Sequence, residues 1–281
     1  MYATHTAILL ATYNGEPYLR AQLDSLFSQT DMAWQLYIHD DGSTDNTAAI
    51  VAEYAARHDN IVVLDYPGGQ GAMDNFFGML SQVDASYYLF CDQDDVWKAD
   101  KVEQTRRKLA EMEQAYPDKP LIAFTDLCVT DKELHPMAES FFRFSGIYPQ
   151  YVRTFGQCAA TPITTGCTMM FNRKAVDTLV YPSPYARMHD EWLTLCVLSS
   201  GGHVEALPYA SMYYRQHGGN TLGAMADTSG KLLRKLGSLG RVWQANKYRY
   251  QMLRSLGYGS PLTFVYNKLK YKYHVLLNEK I

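Results

Sequence analysis

Cysteine is scarce: 5 of 281 residues, at positions 91, 128, 158, 167 and 196, and no two of them make a Cys-x-x-Cys pair. That excludes a disulfide framework and a cysteine zinc site, and fits a reduced compartment. Long hydrophobic runs are missing as well. Ala7 to Ala11 is only a strand's length and no basic region precedes it, so neither a signal peptide nor a membrane-spanning helix is expected. Internal repeats and low-complexity tracts are absent. The residues that follow the first apolar run, Thr12 to Glu16, also lack the glycine-rich loop with a basic residue that cradles phosphates in many nucleotidyltransferases.

Carboxylates are almost missing from one end. Residues 231–281 hold 11 Lys and Arg against one Glu, whereas residues 1–230 hold 15 against 28 Asp and Glu. The formal net charge of −3 hides an acidic body and a basic tail, and such a tail points to an anionic neighbour. No nucleic-acid-binding motif accompanies this charge, and the acidic body argues against nucleic acid. At 47% apolar content a full core is available, for one large α/β domain or a domain with an appendage.

The most informative stretch is Tyr87-Tyr88-Leu89-Phe90-Cys91-Asp92-Gln93-Asp94-Asp95-Val96-Trp97. Five apolar or aromatic residues read as a buried strand, and three carboxylates follow where it ends. Such a cluster repels itself unless a cation sits on it; hard oxygen ligands suit Mg²⁺ or Mn²⁺ carrying a diphosphate. The bland alternative is a solvated acidic loop capping a helix that starts near Lys98.

The preceding residues alternate strand and helix. Strands are expected at 6–11, 35–39 and 61–64, with helices over 16–28, 48–56 and 72–82. This pattern predicts an α/β fold with a mostly parallel sheet covered on both faces, in which ligands bind beyond the carboxyl ends of the strands. The polar clusters at 12–16, 40–45 and 92–95 all fall at such ends, which argues for a nucleotide site. Further on, strands are expected at 121–126, 164–171, 204–207 and 210–214, and helices from Arg173 and over 189–198.

Three of these clusters carry a family resemblance. Leu10-Ala11-Thr12-Tyr13-Asn14-Gly15-Glu16-Pro17-Tyr18-Leu19, His39-Asp40-Asp41-Gly42-Ser43-Thr44-Asp45 and Asp92-Gln93-Asp94-Asp95 resemble successive motifs of family 2 glycosyltransferases, inverting enzymes of the GT-A fold that use a nucleotide-activated sugar. With Val96-Trp97, His189-Asp190-Glu191-Trp192 and Tyr214-Arg215-Gln216-His217, the set is similar to bacterial rhamnosyltransferases, which build cell-wall polysaccharides or O-antigens. The likeness spans residue 6 to about 223.

The resemblance implies a metal-dependent enzyme that takes a sugar from dTDP-rhamnose, or from a UDP-sugar, to a glycan or lipid-linked saccharide acceptor. It implies Thr12, Asn14, Glu16, Asp41 and Asp92 at the nucleotide, with the Asp41 carboxylate accepting the imide N–H of uracil or thymine. Asp94 and His217 would hold Mn²⁺ or Mg²⁺. Asp190 would be the general base, with Glu191 as its rival. Thr165, Gly166, Glu191 and Trp192 would lie on the acceptor side. Two departures stand out: Asp74-Asn75 replaces the Arg-Asn pair of many relatives, and the Gln-x-x-Arg-Trp motif of processive synthases is absent, which favours transfer of single sugars.

The expected division is a catalytic domain over 1–226 and a basic amphipathic helical extension over 227–281. Leu232, Leu236, Leu239, Trp243, Tyr250 and Leu253 fall on one helical stripe, and Leu262, Val265, Leu269, Tyr273 and Leu276 on a second, among Lys268, Lys270 and Lys272. Such helices read as elements of a membrane surface, here the cytoplasmic face of the inner membrane. They read equally as packing against the catalytic domain or against a second copy in a homo-oligomer.

Overall fold

A computed structural model describes residues 5–68, 71–217 and 239–278. Outside them lie Gly69 and Gln70, Gly218 to Asn220, Leu232, Leu236 and the expected boundary at 226/227.

The first half alternates as its hydrophobic pattern dictates. β1 (Thr6–Thr12), α1 (Leu19–Phe27), β2 (Trp34–Asp40), α2 (Thr47–Ala55), β3 (Ile61–Val63), α3 (Ala72–Gln82) and β4 (Tyr87–Cys91) follow in order. Next come β5 (Val96–Trp97), α4 (Lys101–Ala115), β6 (Leu121–Thr130), β7 (Pro136–Ala138) and α5 (Phe141–Ser145). The described chain ends with β8 (Met169–Asn172), α6 (Arg173–Asp177), α7 (His189–Ser199), β9 (His203–Arg215), α8 (Leu239–Arg254) and α9 (Pro261–Asn278).

Among the described residues all strands join one mixed sheet in the order β3-β2-β1-β4-β8-β6-β9-β5, with β7 on β6. β3, β2, β1 and β4 run parallel, as do β6 and β9, while β8 runs antiparallel to both of its neighbours. The two-residue β5 was not expected; it pairs Trp97 with Met212 of β9. The two strands expected at 204–207 and 210–214 are one strand, with a shift of register against β6 near Asp126.

Side chains on a strand alternate in direction, so each central strand serves two cores. Ala7, Leu9, Tyr88, Phe90, Ile122 and Phe124 pack on one face with α3 and α7. Ile8, Leu10, Leu89, Cys91, Leu121 and Ala123 pack on the other with α1, α2 and α4. The C-terminal helices join the first of these cores through Met252, Leu253, Tyr258 and Phe264. The expected first stripe is therefore divided: Leu253 is buried, whereas Trp243 stands exposed.

Candidate active site

Parallel registry brings the polar clusters together. Thr12 lies opposite Asp40 across the β1–β2 pair, and Leu10 opposite Cys91 across β1–β4, so the loops leaving these strands share one rim. Short-range hydrogen bonds then lock that rim. Asp41 N–H donates to the Thr12 carbonyl at 2.8 Å. Gln93 bridges β1 and β4: its Oε1 accepts from Thr12 Oγ1 at 2.5 Å and Tyr13 N–H at 2.9 Å, and its Nε2 donates to the Tyr13 carbonyl at 2.9 Å.

Above this rim is a cavity of about 600 Å³, walled by Thr12, Asp41, Asp92, Asp94, Thr165, Gly166, Asp190 and His217 among others. Most residues singled out by sequence thus meet at one place. Asn14, Glu16, Glu191 and Trp192 do not line it. Asn14 adopts a left-handed φ of 48°, tolerable for asparagine, and its Oδ1 accepts from Thr44 N–H at 2.8 Å. Glu16 accepts from Asn46 Nδ2 at 2.6 Å and from Asn46 N–H at 3.1 Å. Both side chains therefore join the first loop to the second. Trp192, expected beside an acceptor, belongs to the core and donates Nε1–H to the Val180 carbonyl at 3.1 Å. A large apolar indole gains more from that burial than from a wet wall. Glu191, also expected there, is ion-paired with Arg249 of α8.

The acidic cluster has layers. Asp95 is fully buried and accepts the Arg215 N–H at 3.0 Å, while its second oxygen has no hydrogen-bond partner among the described residues. Burial and the charges of Asp94 and Asp92 push its carboxyl well above the usual range. Asp92, half-buried, is pushed up to about 7, by burial first and then by Asp94 and Asp190. Asp92, Asp95 and Cys167 bring potential ligand atoms within 4.8 Å of one another. That trio already has an internal cation. Lys101 is fully buried beneath it, donates Nζ–H to the Cys167 carbonyl at 2.5 Å and lies 3.6 Å from the Trp97 ring centre. Burial lowers Lys101 to about 8, so its charge survives at neutral pH.

Asp94 faces the cavity instead. Its Oδ2 lies 2.7 Å from His217 Nε2. Arg215 sets this approach, since its Nε donates to the Asp94 carbonyl at 2.8 Å and its N–H to Asp95, which aligns the end of β9 with the acidic loop. Tyr18 packs against both partners, with its ring 4.6 Å from the His217 ring and 4.9 Å from the Arg215 guanidinium carbon. A carboxylate oxygen and an imidazole nitrogen this close, on a wall already crowded with carboxylates, are a donor pair able to share a divalent cation.

Asp190, in the first turn of α7, lines the same cavity. Gly166 N–H donates to its Oδ2 at 2.8 Å and Glu191 N–H to its Oδ1 at 2.7 Å. Burial outweighs these bonds and raises its pKa to about 6. Beside it His189 is 3% exposed and lines the cavity, with neither ring nitrogen partnered among the described residues. Its ring lies 4.2 Å from that of Phe76 and 4.7 Å from that of Phe90, and burial lowers its pKa to about 3, which keeps it neutral.

Sequence reasoning passed over His189, Lys101, Gln93 and Asn75. His189 adjoins Asp190 in the chain, and that adjacency was the available signal. Asn75, which follows Asp74 where many relatives carry Arg-Asn, is buried on the cavity wall, and its Oδ1 has no hydrogen-bond partner among the described residues.

A family model, glycosyl transferase family 2, matches residues 7–180. The dTDP-rhamnosyl transferase RfbG of Shigella flexneri is 27% identical over 276 residues, covering 92% of this chain and 88% of that protein. Among solved structures, the 1–349 fragment of S. aureus TarS in complex with UDP-GlcNAc superposes with a TM-score of 0.56 at 18% identity, covering 77% of this chain and 60% of that one. The mannosyltransferase PcManGT of Pyrobaculum calidifontis, in complex with GDP-Man and Mn²⁺, gives a TM-score of 0.58 at 16% identity over 99% of this chain and 81% of that one. The fold is that of the GT-A glycosyltransferases, and the chain belongs to glycosyl transferase family 2.

Proposed function

We propose that this chain is an inverting, metal-dependent glycosyltransferase that moves L-rhamnose from dTDP-rhamnose onto a glycan or lipid-linked saccharide in the synthesis of a bacterial surface polysaccharide. The observation that carries this reading is a single cavity whose wall holds Asp41, the Asp94–His217 pair and Asp190. The catalytic domain is taken to run to about residue 226, with the basic helices as its appendage. The rhamnosyl choice draws on the RfbG likeness along nearly the whole chain.

Asp41, at the end of β2, accepts the imide N–H of the base, a donor that uracil and thymine share. Thr12 lies on the same wall, while Asn14 and Glu16 hold the two nucleotide-side loops in register. Asp94 and His217 hold the divalent cation, Mn²⁺ or Mg²⁺, which when bound neutralises charge on the departing diphosphate. Asp190 takes the proton from the acceptor hydroxyl as that oxygen bonds to the anomeric carbon and the carbon–oxygen bond to the diphosphate breaks. A raised pKa suits the role, because a carboxylate of pKa about 6 is a stronger base than an ordinary one and is still ionised at neutral pH. Thr165 and Gly166 form the acceptor side, where the missing Cβ of Gly166 leaves room for the His189 ring. His189, neutral and without a hydrogen-bond partner among the described residues, offers one donor and one acceptor to whatever fills the cavity.

A UDP-sugar donor is the second reading, favoured by the fold shared with the TarS–UDP-GlcNAc complex. The two are separated by incubating the protein and Mn²⁺ with a panel of dTDP- and UDP-sugars and measuring nucleotide release. Selective turnover of dTDP-rhamnose, lost in Asp94→Ala, supports the rhamnosyl reading. Selective turnover of a UDP-sugar replaces it with the second, and turnover of neither removes both.

A further inference from the structure

The last helix turns its apolar side away from the protein. Leu262, Val265, Tyr266, Leu269, Tyr273 and Leu276 of α9 are between 52 and 82% exposed. On an α-helix these six positions fall within about 100° of arc. The opposite side is the one that packs: Phe264 is buried, Asn267 Nδ2 donates to Tyr258 Oη at 2.9 Å, and Tyr271 Oη accepts the Tyr148 N–H at 3.0 Å. A surface helix of a water-soluble domain has the reverse arrangement. Lys270 and Lys272, both exposed, border the stripe on its two sides, about 80° from its centre. Between Pro261 and Asn278 there is no Asp or Glu.

We propose that this face of α9 lies in the interface of an anionic lipid bilayer. Three observations select that occupant. Pairing the stripe with its own copy would bring lysine against lysine with no carboxylate on the helix to answer them, whereas anionic headgroups supply the missing charge. The stripe mixes aliphatic side chains with Tyr266 and Tyr273, whose rings end in a polar hydroxyl and suit the boundary between acyl chains and water. Finally, the acidic body is repelled by the surface that attracts the tail, so the charge asymmetry also sets the orientation. No helix among the described residues is long and apolar enough to cross a membrane, so α9, about 27 Å long, lies in the plane.

The neighbouring helix α8 is tied to the catalytic domain. Arg249 of α8 pairs with Glu191 and donates to the Cys158 carbonyl, and Glu191 follows Asp190 in α7. The inference does not depend on which sugar is moved, or on whether one is.

The test is co-sedimentation of the full chain with vesicles of phosphatidylcholine alone or mixed with phosphatidylglycerol. Binding to the anionic vesicles is expected to exceed binding to the neutral ones at least tenfold, and to weaken as salt is raised. Replacing Lys270→Gln and Lys272→Gln should weaken it about fivefold per lysine. The double variant Leu269→Ser with Tyr273→Ser should weaken it at least tenfold while leaving the melting temperature unchanged, because both side chains are exposed. No preference for anionic vesicles, or wild-type binding by the double variant, would overturn the proposal. So would a dimer in solution that the double variant dissociates, which would give the face to a second copy.

Discussion

Gly166 donates its backbone N–H to Asp190 Oδ2 at 2.8 Å, and a Cβ at Gly166 would come within 2.5 Å of His189 Nε2. One glycine therefore holds the proposed base and leaves room for the neutral histidine beside it. Gly166→Ala is expected to push His189 and Asp190 out of position and to lower kcat about 10–100-fold. Nucleotide binding, which the proposal rests on Thr12 and Asp41, should change little. Steady-state kinetics together with a donor titration separate the two effects.

Asp190→Asn removes the base and should cost about 10²–10⁴ in kcat. Glu191→Gln should keep most of the activity, since that side chain serves the ion pair with Arg249. Equal losses in both variants would return Glu191 to contention as the base.

The pH dependence follows from burial of the same carboxylate. Asp190 must be ionised to accept a proton, and its pKa is raised to about 6. Activity should therefore rise as pH passes upward through about 6 and level off above it. A profile of kcat/KM that levels off near pH 4 would assign the titration to an ordinary exposed carboxylate.

His189 makes a prediction about stability. Its folded pKa, about 3, lies below the ordinary 6.5, so the unfolded chain takes up the proton first. Its contribution is fully present above pH 6.5 and is lost as pH falls toward 3, with a slope approaching about 1.4 kcal/mol per pH unit. Other acids titrate over the same range, so the informative quantity is the wild-type stability minus that of His189→Leu. Urea unfolding at several pH values should show this difference shrinking as pH drops.

Lys101 is the internal cation of the acidic cluster. Lys101→Met leaves the buried Asp95 and the half-buried Asp92 without it and should destabilise the fold by about 3–5 kcal/mol, as when one partner of a buried charged group is removed. The same change should make stability fall more steeply as pH rises, because the raised carboxylates then ionise uncompensated. Thermal melts at pH 5 and pH 8 check both.

What could be read from the sequence was whatever rests on local periodicity and on strand ends. Tyr87–Cys91 is apolar throughout because both faces of a central strand are covered, and the three polar clusters follow strands whose parallel registry puts their ends side by side. From there Asp41, Asp92 and Asp94 could be placed on one rim. Lys101 could not, because only the packing of α4 under Cys167 and Met212 turns an apparent surface lysine into a buried one. Asn14 and Glu16 sit in the right motif, yet what their side chains touch is set by the second loop, thirty residues on. The long β9 reads as two strands because Pro208 interrupts the alternation that marks a strand; in the structure the strand continues through it with a shift of register near Asp126. The apolar stripe of α9 was visible as a period; that it faces outward depends on which side Phe264 and Tyr271 pack.

The most direct test of the proposed site is calorimetric titration of dTDP-rhamnose into wild-type protein and into Asp41→Ala, Asp94→Ala and Asp190→Asn, with Mn²⁺ present and then removed by a chelator. The account predicts Mn²⁺-dependent binding to the wild type, loss of that dependence in Asp94→Ala, weaker binding in Asp41→Ala and near-normal binding in Asp190→Asn. Binding that ignores both the metal and Asp94 would contradict it.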